Sequence, residues 1–341
     1  MQRMCLLWSA VLSALVAVMP LTAATRPHYG GTLRVEVRET IETADPPQAG
    51  HGLADLDGAF SITRWEAGRL AVYSADDNAP GGRPYLDTVE IQLARPLREQ
   101  AIDLELGKAD VVELGANEVR RAAAGRKTWT SAPVRLLALV FGARVTDARA
   151  REALALAVDR AAIHNVLLQR QGEVAGGLLP QWISGYAFLF STAADLNKAR
   201  SLAAGLPPSS RVFSLSFDDP GLRAIADRVA LNARDAGLAV SVCVGSANAD
   251  VRLVVARIEF GEPARALANM ATALGLGEPP RSDTPEGLLA AERALLEGYR
   301  AIPLFHLPEV YGVGPRVKGG PGVTPLGEWR FGDLWVEGNR P

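Results

Sequence analysis

The chain has 341 residues, with 36 Lys and Arg against 38 Asp and Glu and only four His. That near balance excludes a strongly basic nucleic-acid binder, because phosphate contacts need a positive surface. A hydrophobic content of 48% excludes a disordered chain, and two cysteines exclude a disulfide scaffold or a cysteine-rich zinc module.

Residues 1–24 read as a secretory signal. Arg3 supplies a positive start, Leu6 to Met19 is an uncharged apolar run of 14 residues, and Thr22-Ala23-Ala24 offers small residues for cleavage before Thr25. The run is short for a membrane span. Cys5 precedes it and so cannot be the acylated cysteine that follows a lipoprotein signal. The expected mature chain is exported and periplasmic, and it keeps Cys243 alone. Ala239 to Val244 around that cysteine reads as a buried strand.

After Gly30-Gly31, Leu33, Val35 and Val37 alternate with Arg34 and Glu36, as in a half-buried strand. Further short strands are predicted at 60–65, 69–74 and 88–93, with turns at Glu66-Ala67-Gly68 and Pro80-Gly81-Gly82. Up to about residue 115 the pattern is strand and turn. Val134 to Phe141 is then a nearly continuous apolar strand. Asp147 can cap a helix running to Val158, and Asp159 a second one stopping at Gly172. Strands at 212–217, 239–244 and 251–256 flank a helix with Leu222, Ile225, Ala226 and Val229 on one face. A helix over 285–299 precedes strands at 302–306 and 309–313. This alternation predicts an α/β protein with a helix-covered sheet. There is no internal repeat.

Catalytic patterns are missing. His28, His51, His164 and His306 are scattered, with no His-Glu-x-x-His helix, no Gly-x-Ser-x-Gly elbow and no phosphate-binding loop. Packing suits His164, while His306 stays open. Asp76-Asp77 and Asp218-Asp219 read as solvated turns. No enzyme, cofactor or metal site is expected.

Several segments resemble the family 5 extracellular solute-binding proteins, the peptide, dipeptide and nickel receptors of ATP-driven importers. They are Gly30 to Val35, then Thr43-Ala44-Asp45-Pro46, Trp65 to Gly68, Gly81 to Asp87 and Leu106 to Val111. Arg149 to Arg160 is the most specific of them, and Ala301 to His306 closes the series. The resemblance implies a two-lobe periplasmic-binding-protein-like fold of the type II class. It implies a discontinuous first lobe, 25–143 plus 310–341, and a second lobe, 144–309. One departure stands out: ten or so residues after Asp45-Pro46 replace the extra subdomain that the family normally inserts in its first lobe.

The resemblance also implies a site. In peptide-binding members an acidic residue of the second lobe pairs with the ligand's ammonium. Glu259 occupies that position, with Phe260 in place of a tyrosine and Pro263 in place of the proline; solvation or capping of the following helix is the other reading. Trp182 and Tyr186, in an aromatic loop with Phe188 and Phe190, either face the cleft or pack on their own lobe. Gln48 and His51 follow Asp45-Pro46, where backbone pairing with an extended ligand is implied. The expected protein is a monomeric periplasmic receptor that binds a peptide or other small amine-bearing solute and partners an importer permease. The alternatives are an exported binding or sensing protein without a transport role, and an exported hydrolase lacking a recognisable motif.

Overall fold

The computed structural model describes residues 26–39, 56, 58–116, 118–119, 127–185, 191–282 and 284–338. The expected signal segment lies outside them. One sheet of 11 strands organises these residues. Its first part holds β1 (Thr32–Glu36), β2 (Phe60–Glu66), β3 (Leu70–Ala75), β4 (Thr88–Gln92) and β5 (Val111–Glu113), in the order β2-β3-β4-β1-β5. β4 and β5 run parallel to β1 on its two sides. Helix α1 (Leu97–Glu105) lies between β4 and β5 in the chain.

The second part holds β8 (Val212–Phe217), β9 (Ala239–Val244) and β10 (Val251–Arg257), with β9 and β10 parallel to β8 on either side. Two long antiparallel strands join the parts, β6 (Lys127–Phe141) and β11 (Ala301–Val313). β7 (Glu173–Val174) pairs with β11. The early end of β6 pairs with the late end of β11 beside β5, while the late end of β6 lies beside β10.

Alternation explains the apolar run in β6. Leu137, Leu139 and Phe141 enter a core with α2 (Ala148–Ala157), α3 (Arg160–Val166) and α6 (Arg223–Asp235). Leu136, Ala138 and Val140 enter another with α7 (Pro263–Ala273) and α8 (Pro285–Leu296). A strand covered on both faces has no polar side to show. α4 (Gln181–Ser184) and α5 (Leu196–Ala204) complete the helices used below.

A third core joins Leu33, Val35, Val89 and Ile91 to Trp129 and to the late residues Val323, Trp329, Phe331 and Leu334. β12 (Val317–Lys318) and β13 (Trp335–Val336) pair there as a small separate sheet. Asp110, 1% exposed, clamps this part together. It accepts from the Arg34 amide (2.9 Å) and Nε (3.0 Å), and pairs with Arg316 Nε (2.9 Å).

The caps form as the sequence suggests. Asp147 accepts from the Arg149 amide at 2.9 Å and Asp159 from the Ala162 amide at 2.9 Å. Arg160 is buried and donates to the Pro303 (3.2 Å) and Ala155 (3.3 Å) carbonyls; burial pushes its pKa down to about 10. His164 stacks on Phe305 with ring centroids 6.1 Å apart, a packing role. His306 is buried, with Nε2 3.2 Å from the Leu178 carbonyl.

Several elements differ from expectation. α1 is a helix in a region read as strand and turn. α3 stops at Val166, because Gln169 and Arg170 adopt left-handed backbone before Gly172. α8 stops at Leu296, with Gly298 (φ 71°) and Tyr299 (φ 59°) left-handed beyond it. The two late strands are one, β11. β9 is an edge strand, so Cys243 is half-buried, its Sγ 3.5 Å from the Leu215 carbonyl. Among the described residues no helix is long and apolar enough to cross a membrane.

Candidate ligand-binding cleft

Strand direction places the site. β6 runs the same way as β1 and β5, and β10 runs against it. The carboxyl ends of the β4-β1-β5 trio therefore point toward the second part, and those of β10 and β8 toward the first. Ligands of open α/β sheets bind outside the carboxyl ends of strands. Here two such sets converge on one cleft of about 770 Å³, within the range of small-ligand sites. One wall is Val37–Glu39 after β1, Ala94–Leu97 after β4, and Glu113. The other is Asp218–Gly221 after β8, with Val255 and Arg257 of β10. Arg135, Glu309 and Tyr311 from the crossing strands form the floor, beside Trp329.

The charges of the cleft are organised in pairs. Arg38 donates from its amide and Nε to Glu113 Oε2, at 2.7 and 3.1 Å, and reaches across the cleft to Asp219 Oδ2 at 2.5 Å. Asp219 uses its other oxygen to accept from the Gly221 amide at 2.8 Å. The solvated-turn reading of Asp218-Asp219 thus describes half of what Asp219 does. Arg95 bonds Asp103 (2.7 Å) and Glu99 (3.0 Å) and lies 3.7 Å from Glu36. Arg257 pairs with Glu309, whose amide donates to Ser131 Oγ at 2.9 Å. Burial raises the Glu309 carboxyl above its ordinary range, against the pull of Arg257 and Arg135. Burial also pushes the Tyr311 hydroxyl well above its usual value, so it stays a neutral group. Its ring meets Trp329 edge-on at 5.7 Å.

The residues singled out from sequence fall elsewhere. Trp182 of α4 stacks on Phe260, with centroids 5.6 Å apart and 21° between planes. Glu259 is exposed and accepts from Asn269 Nδ2 of α7. These three adjoin one another just past the end of β10 and are not among the residues lining the 770 Å³ cleft. Tyr186, Gln48 and His51 lie outside the described residues, as do Phe188 and Phe190. Sequence reading passed over Arg38, Arg95, Arg135, Arg257, Glu113 and Glu309. The signal available was position: each lies within a few residues of a strand end or of a proline in a long strand. Among the described residues no cluster of His, Cys, Asp and Glu is arranged to hold a metal ion.

A family model described as bacterial extracellular solute-binding proteins, family 5 middle, matches residues 19–270. The oligopeptide-binding protein AppA of Bacillus subtilis is 27% identical over 123 residues, which is 35% of this chain and 23% of that protein. The structure of that AppA in complex with a nonapeptide superposes with a TM-score of 0.64 at 16% identity, covering 82% of this chain and 66% of that one. A dipeptide binding protein from Pseudoalteromonas sp., in complex with Met-Leu, gives 0.71 at 13% identity, covering 82% and 64%. NikA from Staphylococcus aureus, in complex with Ni(L-His)2, gives 0.69 at 17% identity, covering 82% and 68%. At these identities the structural likeness is one of fold. The chain spans about two thirds of the length of these solved structures and under a quarter of the curated relative.

Proposed function

The chain belongs to the bacterial extracellular solute-binding proteins of family 5, and from that premise we propose that it is a periplasmic receptor of an ABC-type importer. It holds a peptide or another small amine-bearing solute between two lobes and performs no covalent chemistry on it. The observation that carries this reading is the convergence of two sets of strand ends on one cleft of about 770 Å³. Each wall comes from a part of the sheet with its own core, so closing one on the other would enclose a solute. We divide the lobes within the shared strands, at Pro133 and Pro308; the resemblance implied boundaries at 143, past the end of β6, and at 310. Glu259, Phe260 and Trp182 extend the second wall beyond Arg257 and offer a carboxylate to an amine at the rim. The receptor works as a monomer with a membrane permease as its partner.

Native mass spectrometry of gently purified protein tests this reading, followed by thermal melting with peptides of two to five residues. A co-purified small molecule, and a melting point raised by peptides, are expected. Turnover of model esters or peptides, with no stabilising ligand, would instead mark an exported hydrolase.

A further inference from the structure

A second cavity, of about 590 Å³, opens at the far end of the second part of the sheet. It shares no lining residue with the ligand cleft. Arg135 in the cleft and Val140 in this cavity are both on β6, separated by about 17 Å of extended strand. The floor is apolar and buried: Val140 near the end of β6, with Leu274 and Leu276 just past α7. Around it stand three arginines, Arg151, Arg252 and Arg300, and no acidic residue lines the cavity.

Each arginine comes from a different element. Arg252 of β10 lies opposite Val140 in the antiparallel ladder, on the face that further along carries Val254 and Ala256 against the core with α7. A charge there interrupts the apolar run of the strand. Arg300 immediately precedes β11, and its carbonyl accepts from the Phe141 amide at 2.9 Å. Arg151 of α2 arrives from the other face of the sheet and is held in place. Its Nε donates to the Gly298 carbonyl and its Nη1 to the Val145 carbonyl, both at 2.6 Å. Three of its five N–H donors remain. The carboxylates adjoining the cavity in the chain are engaged elsewhere: Asp250 with Arg144 and Ser214, Asp147 with Arg149. Among the described residues no carboxylate lies within ion-pair distance of Arg151, Arg252 or Arg300, and the Arg252 and Arg300 side chains have no hydrogen-bond partner. Burial and then the charge of Arg300 lower the Arg151 pKa, with Asp147 opposing. Like charges gathered around one cavity repel, and an anion between them reverses the sign of that interaction. A carboxylate presents two oxygens in one plane. A phosphoryl group presents three in different directions, which suits guanidinium forks arriving from three elements.

We propose that this cavity is a second binding site, separate from the solute cleft, that takes a phosphoryl group, with Arg151 as its fixed donor and Arg252 and Arg300 as donors that adjust to it. The apolar floor admits a carbon skeleton attached to that group. The site depends neither on the receptor reading nor on an occupied cleft.

Arg252→Gln and Arg300→Gln are the informative variants, because both side chains are exposed and the fold does not lean on them. Arg234→Gln, exposed near the end of α6 and outside the cavity, removes the same charge elsewhere and is the control. Calorimetric titration with inorganic phosphate and with pyrophosphate is carried out on the wild type, the two variants, their double variant and the control. Pyrophosphate should bind the wild type more tightly than phosphate does. Each cavity variant should weaken it about tenfold, the scale of one hydrogen bond between charged groups. The control should change it less than about twofold, since a distant exposed charge is screened. Flotation with vesicles of phosphatidylglycerol and of phosphatidylcholine separates the sources of the group. Capture on phosphatidylglycerol that the double variant loses would assign the site to a lipid headgroup. Arginine-dependent pyrophosphate binding without capture would assign it to a soluble phosphate compound, and either result supports the site. A loss in the control equal to that in the cavity variants would show a response to net charge alone and overturn it. So would pyrophosphate binding or vesicle capture that the double variant keeps, or a wild type that binds none of these probes.

Discussion

Pro133 of β6 stands directly opposite Pro308 of β11, and the ladder slips on both sides of Pro308. Neither residue has an N–H to give, so the two strands joining the parts of the sheet lose their regular pairing at the level of the cleft floor. Neighbouring groups find partners off the ladder. The Ala132 amide donates to the Pro325 carbonyl at 2.7 Å, and the Glu309 amide to Ser131 Oγ at 2.9 Å. The crossing is thus held by a side chain and by the late segment of the chain in place of a continuous ladder, which suits a bend between two lobes.

Ser131→Ala tests how much that substitute bond matters. Ser131 is buried, and its hydroxyl donates to the Ala132 carbonyl at 2.7 Å while accepting from Glu309. Removing it strands a buried amide, at a cost of about 1–3 kcal/mol. Urea unfolding should show that loss with an unchanged m-value. A shift below about 0.5 kcal/mol, the ordinary range of surface changes, would mean that the backbone relaxes to another acceptor.

The Arg38–Asp219 bridge spans the cleft with 28% and 34% of the two side chains exposed. A pair that open to water contributes about 1 kcal/mol or less to stability, but it links the two walls. Asp219→Asn keeps the shape of the turn and removes the charge. The unliganded variant should scatter X-rays as a larger particle than the wild type, with little change in melting temperature. Superimposable scattering curves would show that the bridge does not hold the walls together.

Glu309 gives a pH signature. Its carboxyl titrates above the ordinary value of 4.5 because it is buried; Glu113 and Glu39 add to the rise, and Arg257 and Arg135 oppose it. In the unfolded chain it ionises near 4.5, while the folded state keeps its proton to higher pH. Between the two values the folded state binds more protons. Its contribution is therefore full below 4.5 and is lost as pH rises through the folded value. Glu309→Gln cannot titrate. Subtracting its stability-versus-pH curve from that of the wild type should leave a difference that falls above about pH 4.5. Parallel curves, or a difference that rises, would contradict the direction of the shift.

What the sequence could show depended on how local the cause was. Asp147 and Asp159 were legible as caps because each bonds an amide two or three residues ahead. β6 was legible from Val134 on, since burial on both faces leaves an unbroken apolar run. α1 was not: Pro96 sits at its N-cap without a side-chain bond, and only Gln100 and Leu104 are buried along it. The polar Gln100 faces inward because its amide bridges the Arg95 carbonyl and the Glu113 amide, both at 2.8 Å. β11 read as two strands because Pro308 normally ends one; the slip opposite Pro133 lets it continue. Asp218-Asp219 looked like a solvated turn because the partner of Asp219 is remote. Asp219 meets an arginine 181 positions away, and no local pattern carries that information.

Glu259 is the amine anchor implied by family resemblance, and it is the sharpest remaining test of ligand class. The Ile258 amide donates to the Val134 carbonyl at 2.8 Å, which fixes the chain just before Glu259. Glu259 follows Arg257, the last residue of β10, by two residues. An ammonium held at Glu259 would lie just past the end of β10, beside the Trp182–Phe260 stack. Asn269 already donates to Glu259, but an exposed carboxylate has acceptor sites to spare. Glu259→Gln should therefore weaken an amine-bearing ligand by about 1.5–3 kcal/mol, the scale of a hydrogen bond to a charged group. Fold stability should change little, because the side chain is exposed and the amide keeps its volume. N-acetylating the ligand should cost the wild type a similar amount and the variant much less, since both changes remove one pair. Calorimetric titration of the four combinations reads that coupling directly. Additive losses would place the ammonium elsewhere in the cleft and leave Glu259 as a partner of Asn269 alone.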